Sequence, residues 1–290
     1  MSKSGKVISF LNMKGGVGKT TLCKELADFL ANHEDYDILV IDIDPQSNCT
    51  HALFEKFPDL AFDTDESGNQ KIKENLPSIQ ALFGNNVVKN NEEQVILKLT
   101  KNLHLIPGDL GTVFMERNGT STNEQKILHI IHEWDLKGKY DFIFIDCPPT
   151  YSFYTVSSLL ASDYYLVPSK PDLYSVLGLD LLKNVVAKLV EVDQPFLMKD
   201  RTIDCLGIVL MMTGSTTGMQ KRIGEIRDFA SENNIHVFEN SSPYYNKLLT
   251  GELKTFIMDR QDDALYKFLV STANELVERI ELLNGTQNNL

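Results

Sequence analysis

The chain has 290 residues, 42% of them hydrophobic, enough to bury a full core without a disulfide or a structural metal. Its four cysteines (Cys23, Cys49, Cys147, Cys205) form no C-x-x-C pair and no His–Cys spacing suited to zinc, so they read as reduced, buried residues. The formal net charge of −12 argues against a uniformly basic nucleic-acid-binding surface, while leaving a local basic patch on an assembly open.

Continuous apolar runs at 7–11, 38–43, 103–106, 142–145, 164–167 and 206–212 read as buried strands of a parallel sheet, with 236–238 as a short further strand. Helical spacing fills the intervals at 20–31, 125–134, 175–192, 219–232 and 262–283. In the last of these, Leu265, Phe268, Leu269, Leu276, Val277 and Ile280 share one face that is expected to dock on the sheet. The alternation predicts an α/β fold, a doubly wound and mostly parallel sheet with helices on both faces. No Pro/Gly/Ser-rich linker divides the chain, so a single domain over 1–290 is expected, with a polar, acidic insertion at about 54–76. Phe57-Pro58-Asp59, 62–69 and 85–91 read as polar surface loops. No stretch approaches the roughly 18 apolar residues of a membrane span, and the first residues lack a signal-peptide core. A cytoplasmic protein is expected.

The most informative segment is Lys14-Gly15-Gly16-Val17-Gly18-Lys19-Thr20-Thr21, placed between a strand and a helix. In that context a glycine-rich loop can turn consecutive backbone N–H groups around a phosphate, because no Cβ blocks the approach. Lys19 can then reach the β/γ-phosphates, and the Thr20 hydroxyl can ligate Mg²⁺. Two carboxylate motifs end strands at the same edge. Ile41-Asp42-Ile43-Asp44-Pro45-Gln46 places two aspartates at i and i+2, on one side of a strand. The run 142–145 delivers Asp146 in a Walker B pattern, followed by Cys147-Pro148-Pro149. Open α/β sheets bind ligands at that carboxyl edge, so three aspartates beside the loop point to a nucleotide and metal site.

The loop departs from the ordinary P-loop motif by carrying Met13 where glycine is usual and an extra lysine, Lys14. The K-G-G-x-G-K-T-T form resembles the deviant Walker A motif of the ParA/MinD group of ATPases. Residues 41–46 resemble the D-x-D-P-Q segment of ParA/Soj-type partition ATPases, and 146–150 their D-C-P-P-S. Further likeness at 78–83, 102–107, 168–178 and 206–213 extends it over most of the chain outside 54–76.

The resemblance implies an ATP- and Mg²⁺-dependent ATPase that forms a two-nucleotide sandwich homodimer. It makes Lys14, Lys19 and Asp44 the catalytic residues, with Asp44 positioning the attacking water and Lys14 reaching the partner's phosphates. Gly15, Gly16, Val17 and Gly18 supply N–H donors, Thr21 meets the α-phosphate, and Pro243 lies beside the nucleotide. Thr20, Asp42 and Asp146 become the metal residues. The implied task is segregation of DNA, of a plasmid or other mobile element, with a ParB-like adaptor and nonspecific DNA contact in the ATP state.

The cargo is argued from other residues, because a fold does not fix a function. The tail from Glu278 to Leu290 is polar and not basic, which disfavours membrane attachment of the MinD kind. Lys221, Arg222, Lys247 and Lys254 are the candidate DNA-contacting residues, with Arg260 beside them. From Tyr151 onward, however, 13 basic side chains face 18 acidic ones. Tyr244 and Gly214 to Gly218 replace arginines usual in the family. The alternative is a ParA-like ATP switch that positions a protein cargo with little DNA affinity.

Overall fold

A computed structural model of the chain describes residues 4–65, 68–83, 92–109, 121–199, 201–244 and 256–287. In chain order these form β1 (Lys6–Phe10), α1 (Lys19–His33), β2 (Ile38–Asp42), α2 (Asn48–Lys56), α3 (Pro58–Ala61), β3 (Phe62–Thr64), β4 (Gln70–Ile72) and α4 (Gln80–Phe83). Then follow β5 (Leu97–Lys98), β6 (Leu103–Ile106), α5 (Ser121–Glu124), α6 (Lys126–Glu133), α7 (Leu136–Lys139), β7 (Phe142–Asp146) and α8 (Phe153–Ala161). The chain continues through β8 (Tyr164–Ser169), α9 (Ser175–Lys188), β9 (Asp204–Leu210), α10 (Thr217–Glu232) and α11 (Asp263–Gln287).

Seven strands make one sheet in the order β5-β6-β2-β7-β1-β8-β9. All neighbours run parallel except β5, which pairs antiparallel with β6 at the edge. Side chains alternate between two apolar layers, as the pleat requires. Val7, Leu39, Ile41, Ile143 and Ile145 join one core with α6, α8, α9 and α10 residues. Ile8, Phe10, Ile38, Val40, Phe142 and Phe144 join the other with α1, α2 and α11. Both faces are covered, which is why the strands read as continuous apolar runs. On α11, Leu265, Phe268, Leu269, Leu276 and Ile280 are buried against the sheet, and Val277 is packed at the edge of that cluster.

The doubly wound, mostly parallel architecture expected from the sequence is what the chain adopts, with local corrections. Residues 236–238 contribute only an isolated bridge, Ile208 to Val237, and the further sheet strand is β5. The 62–69 stretch is no plain loop: β3 and β4 pair antiparallel, and the partly buried Phe62 packs on the α1/α2 core. Helix α9 stops at Lys188 and gives way to a wider π turn over Leu189–Asp193. The 85–91 stretch lies outside the described residues. Among the described residues, no helix is long and apolar enough to cross a membrane.

Candidate nucleotide-binding site

The site lies on the carboxyl edge of the three central strands. Register sets Phe10 of β1 and Asp42 of β2 level with Asp146 of β7, so the P-loop and the two aspartate motifs leave the sheet side by side. The loop curls through left-handed backbone at Gly16 (φ 68°) and Gly18 (φ 95°), which L side chains rarely adopt. Gly18 is the N-cap of α1 and has no capping side chain, so the first N–H groups of that helix face the cleft. Val17 is buried, and only its backbone is available to a ligand.

Lys19 is 7% exposed, and its ammonium donates to the Lys14 carbonyl at 3.1 Å, which folds the lysine back under the loop. Burial pulls its pKa below the ordinary value, opposed by the negative groups around it, Asp146 foremost. The Thr20 hydroxyl donates to Asp146 Oδ2 at 2.7 Å. The other oxygen, Oδ1, is buried with no hydrogen-bond partner among the described residues. Burial first, and then the Asp42 charge, push the Asp146 carboxyl well above its usual range, against the Thr20 hydrogen bond and Lys19. An unpartnered, buried carboxylate oxygen beside a threonine hydroxyl is a hard, oxygen-only donor set that fits Mg²⁺. No group of three or more His, Cys, Asp or Glu side chains able to hold a metal occurs among the described residues. Mg²⁺ here would therefore take its remaining ligands from phosphate and water, as it commonly does.

Asp42 is turned toward α2 rather than presented to the P-loop. Its Oδ2 accepts from the Thr50 N–H at 2.8 Å and the Thr50 hydroxyl at 2.7 Å, and its Oδ1 accepts from the Asp44 N–H at 3.3 Å. Burial raises its pKa to about 7, with the Thr50 hydrogen bonds opposing and the Asp44 charge adding. Thr50 Oγ1 also accepts from the Gly108 N–H at 2.8 Å, so Asp42, α2 and the loop after β6 form one hydrogen-bonded unit. Asp44, 7% exposed, borders the cleft, and its Oδ1 accepts from the Gln46 N–H at 2.9 Å. The cleft itself holds about 380 Å³ and is lined by Gly15, Lys19, Thr20, Thr21, Asp44, Pro149 and Met212 among others.

Several residues of the site escape sequence reasoning. Gln46, Asn48, Pro149 and Met212 line the cleft, and Thr50 and Gly108 brace it. Gln46 to Thr50 directly follow the D-x-D-P motif, so the start of α2 could have been suspected; nothing in local sequence marks Met212. Pro243 forms an isolated bridge with Thr213, three residues beyond β9, outside the cleft lining. The Tyr244 ring is 45% exposed, with the Lys170 ammonium 6.0 Å from its centre. Of the candidate DNA-contacting residues, Lys221 is exposed on α10, and Arg222 is ion-paired with Glu225 of the same helix at 2.7 Å. Lys247 and Lys254 lie outside the described residues, and Arg260 is half-buried.

Comparison with known proteins agrees with this fold. The sequence profile of a family described as AAA domain matches residues 5–198. A protein of Methanocaldococcus jannaschii is 35% identical over 188 residues, which span 64% of this chain and 66% of that protein. The sporulation initiation inhibitor protein Soj of Bacillus subtilis is 32% identical over 219 residues, 74% of this chain and 76% of Soj. Among solved structures, a variant of McdA from Cyanothece in complex with ATP superposes with a TM-score of 0.75. It covers 95% of this chain and 97% of McdA at 18% identity, a likeness of fold. With its doubly wound sheet, deviant P-loop and paired aspartate motifs, the chain belongs to the ParA/MinD family of P-loop ATPases.

Proposed function

We propose that the chain is a partition ATPase: it binds ATP with Mg²⁺, forms a two-nucleotide sandwich homodimer, and is released from it by hydrolysis, so driving the segregation of DNA. The observation that carries this reading is the convergence of a helix-terminal N–H nest, the buried Lys19 and the Thr20–Asp146 pair at one cleft. Likeness of fold to an ATP-bound McdA and of sequence to Soj supports it.

In this reading the N–H groups of Gly15 to Gly18 and the Lys19 ammonium bind the β/γ-phosphates, and the Thr21 hydroxyl meets the α-phosphate. Thr20 Oγ1 and Asp146 Oδ1 would hold Mg²⁺, which would supply neutralisation of phosphate charge. Asp44 orients the attacking water from the cleft wall, kept in place by Gln46 and, through the Asp44 N–H, by Asp42. Asp42 acts by fixing the start of α2 rather than as a metal ligand. Lys14 supplies a positive charge to the nucleotide of the second subunit; a charge supplied in trans is worth about 10³–10⁵ in rate in other P-loop enzymes. A ParB-like adaptor would stimulate hydrolysis, and Lys221, Lys247 and Lys254 would contact DNA phosphates without reading sequence.

A second reading, an ATP switch that positions a protein cargo, is favoured by one observation. Arg222 is neutralised by Glu225, in a C-terminal half that is itself acidic. Binding to random-sequence duplex DNA across a salt series, with ATP, ADP or no nucleotide, separates the two. The partition reading expects ATP-dependent, salt-sensitive binding whose log–log slope falls by about one in Lys247→Ala or Lys221→Ala. No binding by a demonstrably dimeric, ATP-bound protein would replace it with the cargo-positioning reading.

A further inference from the structure

At the amino edge of β8 and β9, the end of the sheet opposite the nucleotide cleft, lies a cavity of about 830 Å³. It shares no lining residue with that cleft. The two strands fall out of step here. Tyr165 pairs with Cys205 and Leu166 with Gly207, which leaves Leu206 as the extra residue of a bulge. Gly207 takes φ 142°, and a Cβ on it would lie 2.7 Å from the His236 carbonyl oxygen, so the bulge requires glycine. The Leu206 carbonyl accepts from Arg279 Nε of α11 at 2.6 Å, which fixes the half-buried guanidinium in the cavity lining. Its two terminal nitrogens make no hydrogen bond or ion pair among the described residues. Burial pulls the Arg279 pKa below the ordinary value, opposed by the Cys205 thiol and Glu275. Glu275, one turn back on α11, is already committed to His236 Nε2 at 2.6 Å and to the Glu239 N–H at 3.1 Å. Lys183 of α9 also lines the cavity; its ammonium donates to the Asn233 side-chain oxygen at 2.6 Å and forms no ion pair among the described residues. Two cations thus stand against one lining carboxylate, Asp204, in a chain with 40 acidic and 28 basic side chains.

We propose that this cavity is a second ligand site, for a small phosphomonoester whose organic body carries hydroxyl groups: a sugar phosphate. A phosphomonoester carries about −1.5 to −2 charges at pH 7, which the two cations match. The planar guanidinium fork fits two phosphate oxygens at once, and Arg279 has no carboxylate in that role. Lys183 adds a point charge to the same anion. Asp204 disfavours a bare polyanion and accepts hydrogen bonds from hydroxyl groups. Asn234, held on left-handed backbone at φ 54°, presents an amide to the same body. The volume lies within the range of small-molecule sites, with room for a pentose beside the phosphate. The bulge is then more than an irregularity, because the carbonyl of its extra residue is what orients the anion-binding arginine.

The test is calorimetric titration of the full chain with ribose 5-phosphate, and with ribose alone, each with and without ADP and Mg²⁺. The expected result is binding of ribose 5-phosphate that ADP leaves in place, and no detectable binding of ribose. Arg279→Gln should weaken that binding by about tenfold or more, the usual loss when a charged hydrogen-bonding partner is removed. Arg279→Lys, which keeps the charge without the fork, should fall between the two. If Arg279→Gln does not fold, Lys183→Gln on the exposed side of α9 takes its place, with a loss of affinity again expected. No binding of ribose 5-phosphate at millimolar concentration overturns the proposal, as does binding that ADP abolishes, which would belong to the nucleotide cleft. Affinity unchanged in the glutamine variant, or ribose bound as tightly as its phosphate, overturns it equally. None of these outcomes bears on the ATPase reading, which rests on other residues.

Discussion

The Thr20 hydroxyl occupies one oxygen of Asp146 at 2.7 Å and leaves the other buried without a partner among the described residues. A buried carboxylate in that position is costly to the protomer and valuable to a cation. Asp146→Asn should therefore leave the nucleotide-free protein at least as stable as wild type while removing the benefit of the metal. Calorimetric titration with ADP should show Mg²⁺ tightening wild type by about tenfold or more and leaving the variant unchanged. An equal Mg²⁺ effect in both proteins would remove Asp146 from the metal site.

Lys19→Ala deletes the one side-chain ammonium folded beneath the loop. Hydrogen bonds to charged groups contribute about 1.5–3 kcal/mol, so nucleotide affinity should fall by roughly 10- to 100-fold. Fluorescent-nucleotide binding measures this directly, and wild-type affinity in the variant would unseat the whole site assignment.

Asp44→Ala removes the carboxylate on the cleft wall but spares the P-loop. Hydrolysis should drop by about 10²–10⁴, the usual contribution of a group that handles the attacking water's proton. Light scattering after size exclusion should then find a persistent dimer with ATP; a strictly monomeric variant would contradict the switch.

Gly108→Ala tests the brace behind the aspartates. A Cβ there would lie 2.7 Å from Ser47 Oγ and 3.0 Å from Asp42 Cγ, so the Asp42–Thr50 unit must shift. Overpacking of this kind costs about 1–3 kcal/mol, which a urea midpoint resolves. ATPase activity should fall more than nucleotide affinity, because the displaced element carries Asp44 rather than the P-loop.

At the opposite end of the sheet, His104 Nδ1 lies 2.7 Å from the Tyr140 hydroxyl, and burial holds the His104 pKa below 6.5. The unfolded chain takes up that proton first as pH falls. Its contribution to stability is thus complete above pH 6.5 and is lost as pH drops through the lower folded-state value. Melting temperatures at pH 7.5 and 5.5 should differ more for wild type than for His104→Gln, and equal differences would exclude His104 as the cause.

Much of this was legible in the sequence because the central strands are buried on both faces and announce themselves as unbroken apolar runs. The P-loop and the two aspartate motifs were equally plain as motifs, since each follows or closes an apolar strand. Helix α8 was hidden by Ser157 and Ser158, which are fully buried; the Ser158 hydroxyl bonds back to the Tyr154 carbonyl at 3.0 Å and accepts from the Cys147 thiol at 3.2 Å. The two-residue β5 is too short to show a period. Two aspartates at i and i+2 look alike on paper, and the hydrogen bonds that turn Asp42 toward α2 come from a threonine eight residues on. An ion pair between Lys14 and Asp172 joins positions 158 residues apart, a separation no local pattern encodes.

The level alignment of Phe10, Asp42 and Asp146 also has a temporal side. The loop that meets phosphate is made early, but the carboxylate that completes its metal site is made more than a hundred residues later, and β7 must then insert between β1 and β2. At about 5–20 residues per second, a ribosome takes several seconds or more to supply it. Growing chains that end short of β7 lack both the central strand and the oxygen that would recruit a cation. On the proposed function, competence to bind the metal–nucleotide complex is thereby withheld from fragments that end short of β7, and a bound complex reports that β7 is in place.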